Sequence, residues 1–293
     1  MAVGETLSST LSDSLPQMIA QARNIREYEG TWMRTTEKQT LSDGTGLQWT
    51  EISLAQLEAQ DITETQLNEN PQQFADTAFS ITVNMSQIMI KVTDKAYRRI
   101  ASVVKAKMGV AAGLAMARKK NDDYLGTFAG FGTGASPGSG NPISFGHISA
   151  AKNRISSNVT EPSMAKVHAI LHGYGWKDIW DEVVQVGTYP VPAGMTADMF
   201  AKGVQPVGML AGTTGYEDGN IVVTSTPNAR GAVHAVDGVV AVQGMTIKTE
   251  TRRDPAFGGG ADEIFMTDEF GFGERASGIW NFTMLHDATA PTS

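Results

Sequence analysis

The feature that most constrains this chain is a β-prone run leading straight into one long amphipathic helix. Phe79 to Val92 largely alternates, with Ile81, Val83, Met85, Ile88, Ile90 and Val92 as its apolar members, which predicts a strand. Asp94 or Thr93 then suits an N-cap, and Tyr97, Ile100, Val104, Met108, Ala111 and Ala115 recur at three- and four-residue steps. The predicted helix has roughly 25 residues and a length of ~38 Å. Arg118, Lys119 and Lys120 fall at its C-terminal end, where cations suit the helix dipole. An element this long is a spine around which the rest must be arranged.

Upstream, residues 1–29 read as an arm with a short helix begun near Pro16. Its apolar stripe, Leu15, Met18, Ile19, Ala22 and Ile25, is too narrow for a core element and suits docking on a neighbour. Residues 30–53 carry a hairpin signal: Thr31–Thr36 and Leu47–Ile52 are strand-like and flank Ser42-Asp43-Gly44-Thr45-Gly46. Neither arm of that hairpin has a clean apolar face. Either it is an ordinary surface hairpin, or it lies with its two Trp residues against another surface, because an isolated two-stranded ribbon is marginal in water.

Downstream, glycines at 130, 132, 134, 138 and 140, interrupted by Pro137, predict a flexible linker and a region boundary over 129–140. Helices are predicted over Ser144–Ser157, Trp176–Val184 and Ala197–Lys202, with a buried strand at Ala165–Leu171. Strands follow at Ile221–Val223, Val239–Val242, Met245–Thr251 and Gly278–Leu285. The fold class is therefore α+β, with enough chain in 293 residues for two packed regions.

Several chemistries are disfavoured by the residues themselves. There is no Cys, which removes disulfides and thiolate sites and fits synthesis in a reducing cytoplasm. The net charge of −8 argues against a dedicated nucleic-acid binder, though it allows enclosure of DNA behind a wall that does not stick to it. No run of about 18 apolar residues exists, and Met1–Thr6 lacks the start of a signal peptide, so neither a membrane span nor conventional secretion is expected. Gly130-Phe131-Gly132 lacks the Lys and Ser/Thr of a P-loop and follows a helix where a nucleotide fold needs a strand. His168 and His172 are four apart, but no Glu follows His168 as in zinc proteases, and packed histidines are the plainer reading. Asp122 with Asp123, and Asp262 with Glu263, read as solvated turns. With His at 147, 168, 172, 234 and 286 and no Gly-x-Ser-x-Gly elbow, no catalytic site, metal site or cofactor is nominated.

The order arm, hairpin, strand, spine helix, Gly-rich link, mixed region and returning strands resembles the capsid proteins of tailed phages that share the HK97-type fold. The most specific segments are Asp61-Ile62-Thr63-Glu64-Thr65 with Asn70-Pro71-Gln72-Gln73-Phe74, and Val92 to Ile100 leading into Ala115 to Lys120. The resemblance implies a structural protein and no enzyme: a major capsid protein of a bacteriophage, self-assembling as pentamers and hexamers into an icosahedral capsid around DNA bound without sequence specificity. It implies an N-terminal arm at 1–29, an extended loop at 30–78, a peripheral region at 79–140 with 245–293, and an axial region at 141–244. Met18, Ile25, Trp32, Arg34, Lys38, Trp49 and Glu51, on the arm and loop, would contact neighbouring subunits. A chain starting at Met1 and reaching its loop by residue 30 leaves no room for a fused scaffold, so a separate scaffolding protein and a portal are expected, with a decoration protein possible. The location implied is the virion, after assembly in the host cytoplasm. The encapsulin nanocompartments, with protein cargo, are the nearest rival, and a hydrolase with a flexible linker is the rival from another class.

Overall fold

The computed structural model describes residues 30–59, 61–62, 64, 71–73, 75–99, 102–184, 209–210, 212–257, 259–276 and 278–292. The expected arm helix, with Met18 and Ile25, and the helix at 197–202 lie outside them.

Three sheets organise these residues. The first joins β1 (Glu37–Thr40), β9 (Val239–Asp254), β10 (Ala261–Glu274) and β4 (Asn84–Thr93) in that order. β1 runs parallel to β9, while β10 is antiparallel to both of its neighbours. The second has the order β11 (Asn281–Asp287), β8 (Asn228–Ala235), β5 (Val167–Leu171), β7 (Thr213–Glu217) and β6 (Met209–Leu210). The third is a ribbon of β2 (Gln48–Leu54) and β3 (Asp76–Thr82) alone.

The helices α4 (Phe145–Ser156) and α5 (Gly173–Val184) match their sequence expectations closely, and the N-terminus of α4 is fixed by a capping box in which Ser144 and His147 serve each other's backbone amides. Every residue of β5 is buried, because both faces of the second sheet are covered. Val167, Ala169 and Leu171 pack with Ile148, Ile155, Trp176 and Ile179 of α4 and α5. Ile170 faces the other way, into a cluster with Tyr124 of the long helix α3 (Ser102–Thr127) and Phe128 just past its end. The C-terminal part of α3 thus belongs to the core of the second sheet, while Lys120 reaches Asp268 on the first, 2.6 Å away.

Several expectations fail, each for a local reason. The hairpin of 30–53 does not form. Trp32–Thr35 is a helical turn (α1), closed by the Thr35 and Thr36 hydroxyls donating to the carbonyls of Thr31 and Trp32, local bonds that compete with strand pairing. The turn at Gly44 and Gly46 exists, both with positive φ, but it joins strands of different sheets. The single strand over 79–92 is two, divided at Val83, one in the ribbon and one in the first sheet. The spine is described as α2 (Asp94–Arg99) and α3, and α3 continues to Thr127, so Arg118, Lys119 and Lys120 are not at its end. Asp122 and Asp123 are therefore helical, with Asp123 paired to Lys119 four residues back.

The Gly-rich segment is no flexible linker. It lies along the outer edge of β11, exchanging Gly132 N–H to Asn281 O at 3.2 Å and Thr283 N–H to Gly132 O at 2.9 Å, with Gly138 N–H to Leu285 O at 3.0 Å further on. It thereby covers an edge strand. Gly132 permits the approach, since a Cβ there would meet the Gly278 Cα at 2.8 Å.

Ile221–Val223 is a loop and not a strand, and the segments at 239–242 and 245–251 merge into one strand, β9. Residues 278–280 are a turn before β11. Asp262 and Glu263 lie in β10, where Glu263 is only 2% exposed and is held by Lys91 at 3.0 Å and Arg252 at 2.7 Å. The sheets also divide the chain differently from the resemblance: β9 starts at 239, and β11 pairs with β8 in the second sheet, so 281–287 do not accompany 245–274.

Candidate assembly surfaces

The ribbon leaves the body of the protein at a charged anchor. Arg275, just past β10, donates from Nη1 to Glu37 at 2.7 Å and to the Asp237 carbonyl at 2.7 Å, and from Nη2 to Glu51 on β2 at 2.5 Å. Burial works to raise the Glu37 carboxyl, yet hydrogen bonds from Arg275 and Gln39 and the guanidinium charge hold it below the usual range. Beside this anchor Trp49 meets Phe79 edge to face, 6.2 Å between ring centroids, above Ile81, Val83, Val240 and Val242. The proximal half of the ribbon is thus satisfied within the chain.

Among the described residues, the distal half is not. With Gln48 opposite Thr82 and Ile52 opposite Ala78, strand alternation puts Thr50, Ile52 and Leu54 of β2 on one face with Ala78 and Ser80 of β3. Ile52 is 61% exposed and Leu54 63%, and Leu57 just beyond is also exposed. The tip is shaped locally, Gln72 bonding both the amide and the carbonyl of Glu58. Past the ribbon base, Met85 and Met89 stand exposed on β4, an edge strand of the first sheet.

The residues expected at subunit contacts are scattered by this geometry. Trp32 packs edge to face on Phe272, ring centroids 5.7 Å apart, and with Met33, Leu114, Ala117 and Ile247 lines an open cavity of about 830 Å³. Arg34 and Lys38 are exposed near it and on β1 respectively. Trp49 and Glu51 are brought together at the ribbon base, both turned inward. The sequence reading missed Arg275, Ile52 and Leu54. Ile52 ends the run read as strand and Leu54 lies just beyond it, and their exposure becomes visible only once β3 is known as the partner.

The histidines serve the core. His234, fully buried, donates from Nδ1 to the Ala235 carbonyl at 2.8 Å, which leaves Nε2 to accept from the Tyr124 hydroxyl at 2.7 Å. Burial pushes its pKa down to about 4. His168 lies opposite it across β5 and β8 with its ring tilted against Tyr216, centroids 5.4 Å apart, and burial lowers it as well. His172 stands beyond the end of β5 against Tyr174. Among the described residues, no cluster of three or more His, Cys, Asp or Glu is placed to hold a metal ion, and no helix is long and apolar enough to cross a membrane.

No protein-family model and no curated protein matches the sequence. Solved structures do. The capsid of cyanophage P-SCSP1u is 11% identical, covers 96% of this chain and 95% of that one, and superposes with a TM-score of 0.69. The chain has the HK97-type fold of phage capsid proteins. Mycobacterium phage Che8 is similar at 13% identity, 94% and 98% coverage and a TM-score of 0.68, as is the head of Helicobacter pylori bacteriophage KHP40 at 9%, 98% and 99%, and 0.68. In an HK97-type chain the spine helix and the ribbon are the elements that the sequence order anticipated, although the ribbon is built from β2 and β3 and not from 31–36 and 47–52.

Proposed function

We propose that this chain is the major capsid protein of a tailed bacteriophage, a structural subunit that self-assembles as pentamers and hexamers into an icosahedral shell around double-stranded DNA. The observation that carries the reading is likeness over nearly the whole length to structures of phage capsids and heads. The reading assigns no catalysis. The same likeness to phage capsids favours a DNA-filled shell over a compartment with protein cargo.

In this reading the four-stranded sheet with α2 and α3 is the peripheral region and the five-stranded sheet with α4 and α5 the axial one. The ribbon is the extended loop, now 48–82, whose distal face with Ile52 and Leu54 is buried on a neighbour; the arm at 1–29 adds further contacts. Trp32, Arg34, Lys38, Trp49 and Glu51 flank or anchor these contacts. A separate scaffolding protein, a portal and a decoration protein complete the partners, and assembly takes place in the host cytoplasm before the protein resides in the virion.

The test is electron microscopy and sedimentation of the full-length chain, with a second form in which residues 56–74 are replaced by a short Gly-Ser turn. The native chain is expected to give closed shells, tubes or sheets. The shortened form is expected to keep its helical circular dichroism and fail to close shells. A native chain that stays monomeric across a wide concentration range at physiological salt overturns the proposal.

A further inference from the structure

Charge is distributed along this chain in two opposed blocks. Between Lys38 and Lys91 there are seven acidic residues and no Lys or Arg, whereas Lys91 to Lys120 holds nine basic residues and one acidic, Asp94. Part of this is used internally: Glu51 by Arg275, Lys91 by Asp254 and Glu263, and Lys120 by Asp268. The remainder stands in water. Glu58, Asp61 and Glu64, in the segment joining β2 to β3, are exposed and form no ion pair among the described residues. On α2, Lys95, Arg98 and Arg99 are exposed at three- and four-residue spacing, which places them on one side of the helix. Like charges so spaced destabilise a helix in isolation, so the arrangement gains nothing until an anionic surface covers it.

The two blocks cannot meet within one chain. β3 runs from the ribbon tip to its base, and β4 carries on from Val83 to α2. β10 lies beside both, Ala261–Phe270 pairing with β4 and Gly271 and Gly273 lying against Thr82 and Ile81 of β3. At about 3.4 Å per residue, strands of seven and ten residues put the tip and α2 on the order of 55–60 Å apart. An acidic end and a basic end at opposite ends of the path through β3 and β4 are complementary head to tail. That is the heterologous contact from which rings close.

We propose that the acidic ribbon tip of one copy docks on the basic α2 surface of a second copy, Glu58, Asp61 and Glu64 facing Lys95, Arg98 and Arg99. The proposal rests on the shell-subunit reading and deepens it by naming the receiving surface and its chemistry. Opposite charges at the contact steer encounter and reject a mispaired tip-to-tip approach, in which like charges face each other. Exposed pairs of this kind are screened by salt, the screening length falling from about 10 Å at 0.1 M to about 3 Å at 1 M.

The experiment compares four full-length proteins by sedimentation velocity at 0.1 M and 1 M salt, with circular dichroism of each. They are the native chain, a tip reversal (Glu58→Lys, Asp61→Lys, Glu64→Lys), a helix reversal (Lys95→Glu, Arg99→Glu), and the two reversals combined. Arg98 is left in place because it lies near Asp94. Each single reversal is expected to raise the threshold concentration for assembly at least about tenfold, the combination to return it to within about threefold of native, and 1 M salt to raise the native threshold. Should a reversal disturb folding, the neutral set (Glu58→Gln, Asp61→Asn, Glu64→Gln with Lys95→Gln, Arg99→Gln) is expected to raise the threshold with an unchanged dichroism spectrum. Native assembly with reversed or neutral variants that assemble at the native threshold overturns the docking and leaves the shell reading standing, as does a combined reversal that folds but is not rescued. A helix reversal that assembles normally but whose particles lose nucleic acid assigns α2 to DNA phosphates and also overturns it. A native chain that never assembles removes the shell reading, and this inference with it.

Discussion

The five-stranded sheet and the two-stranded ribbon are built from similar strand-forming sequence, yet they end in opposite conditions. β5 is buried along its whole length between α4 with α5 on one side and α3 on the other, and even its histidine is enclosed. β2 pairs with a single partner, and only its anchored half finds apolar neighbours. One region meets its needs inside the chain, whereas the other carries apolar side chains that none of the described residues covers. The difference separates residues that decide folding from those that decide association.

The comparison is sharpened most by Trp176→Ala. Trp176 is 1% exposed and its Nε1 donates to the Tyr216 carbonyl at 3.0 Å, so truncation leaves a cavity and an unpaired acceptor. A loss of about 3–5 kcal/mol in subunit stability is expected, read from urea unfolding of unassembled protein. A loss below about 1 kcal/mol would mean that this core is looser than its packing implies.

The same contrast explains what was legible in the sequence. α4, β5 and α5 declare themselves because their periodicity and caps are local and their partners are apolar. β10 does not, although it is central to the first sheet: Asp262 with Glu263 reads as a solvated turn, and Asp268 and Glu269 add charge further along. What lets it lie in a sheet is pairing with Lys91, Arg252 and Lys120, two of which are far away in sequence. The ribbon was half legible. Its first strand and the turn leading into that strand were visible, but the partner of Gln48–Leu54 lies beyond that turn, at Asp76–Thr82, and pairing at that separation leaves no local mark. Arg275 as an anchor was invisible for the same reason, its partners Glu37 and Glu51 being remote in sequence.

Acid offers an intermediate effect that should strike the two sheets at different pH. His234 has its folded pKa depressed from 6.5 to about 4, so below pH 6.5 the unfolded chain takes up a proton that the folded chain refuses. The stability involved is complete above pH 6.5 and declines towards pH 4, by about 3 kcal/mol in all. His168 and His286, also lowered chiefly by burial, act in the same direction. Asp94 at the start of α2, and Asp254 and Glu263 in the first sheet, are lowered by hydrogen bonds from Arg253 or Lys91, so what they contribute is present above the ordinary carboxylate range and is lost only below it. Amide exchange at pH 7 and pH 5 is therefore expected to show β5 and β8 losing protection before β4 and β10. Equal loss in both sheets, or none between pH 6.5 and 4.5, contradicts the assignment.

The smallest expected effect tests the ribbon from the other side. Ile52 and Leu54 already have most of their surface in water, so cutting either to Ala removes little buried area and leaves no cavity. In unassembled protein, held below the assembly threshold, Ile52→Ala with Leu54→Ala is expected to change unfolding stability by less than about 0.5 kcal/mol each, within the range of ordinary surface substitutions. Were the distal ribbon packed on its own subunit, each truncation would instead cost about 2–5 kcal/mol, as for Trp176. The same pair is expected to raise the concentration needed for assembly, because apolar contacts absent from the subunit are then made between subunits. A stability loss above about 2 kcal/mol in the isolated chain would place the distal ribbon in the core and erase the distinction between the two regions. An unchanged threshold with unchanged stability would show that these side chains stay in water throughout, and would move the neighbour's contact elsewhere on the ribbon.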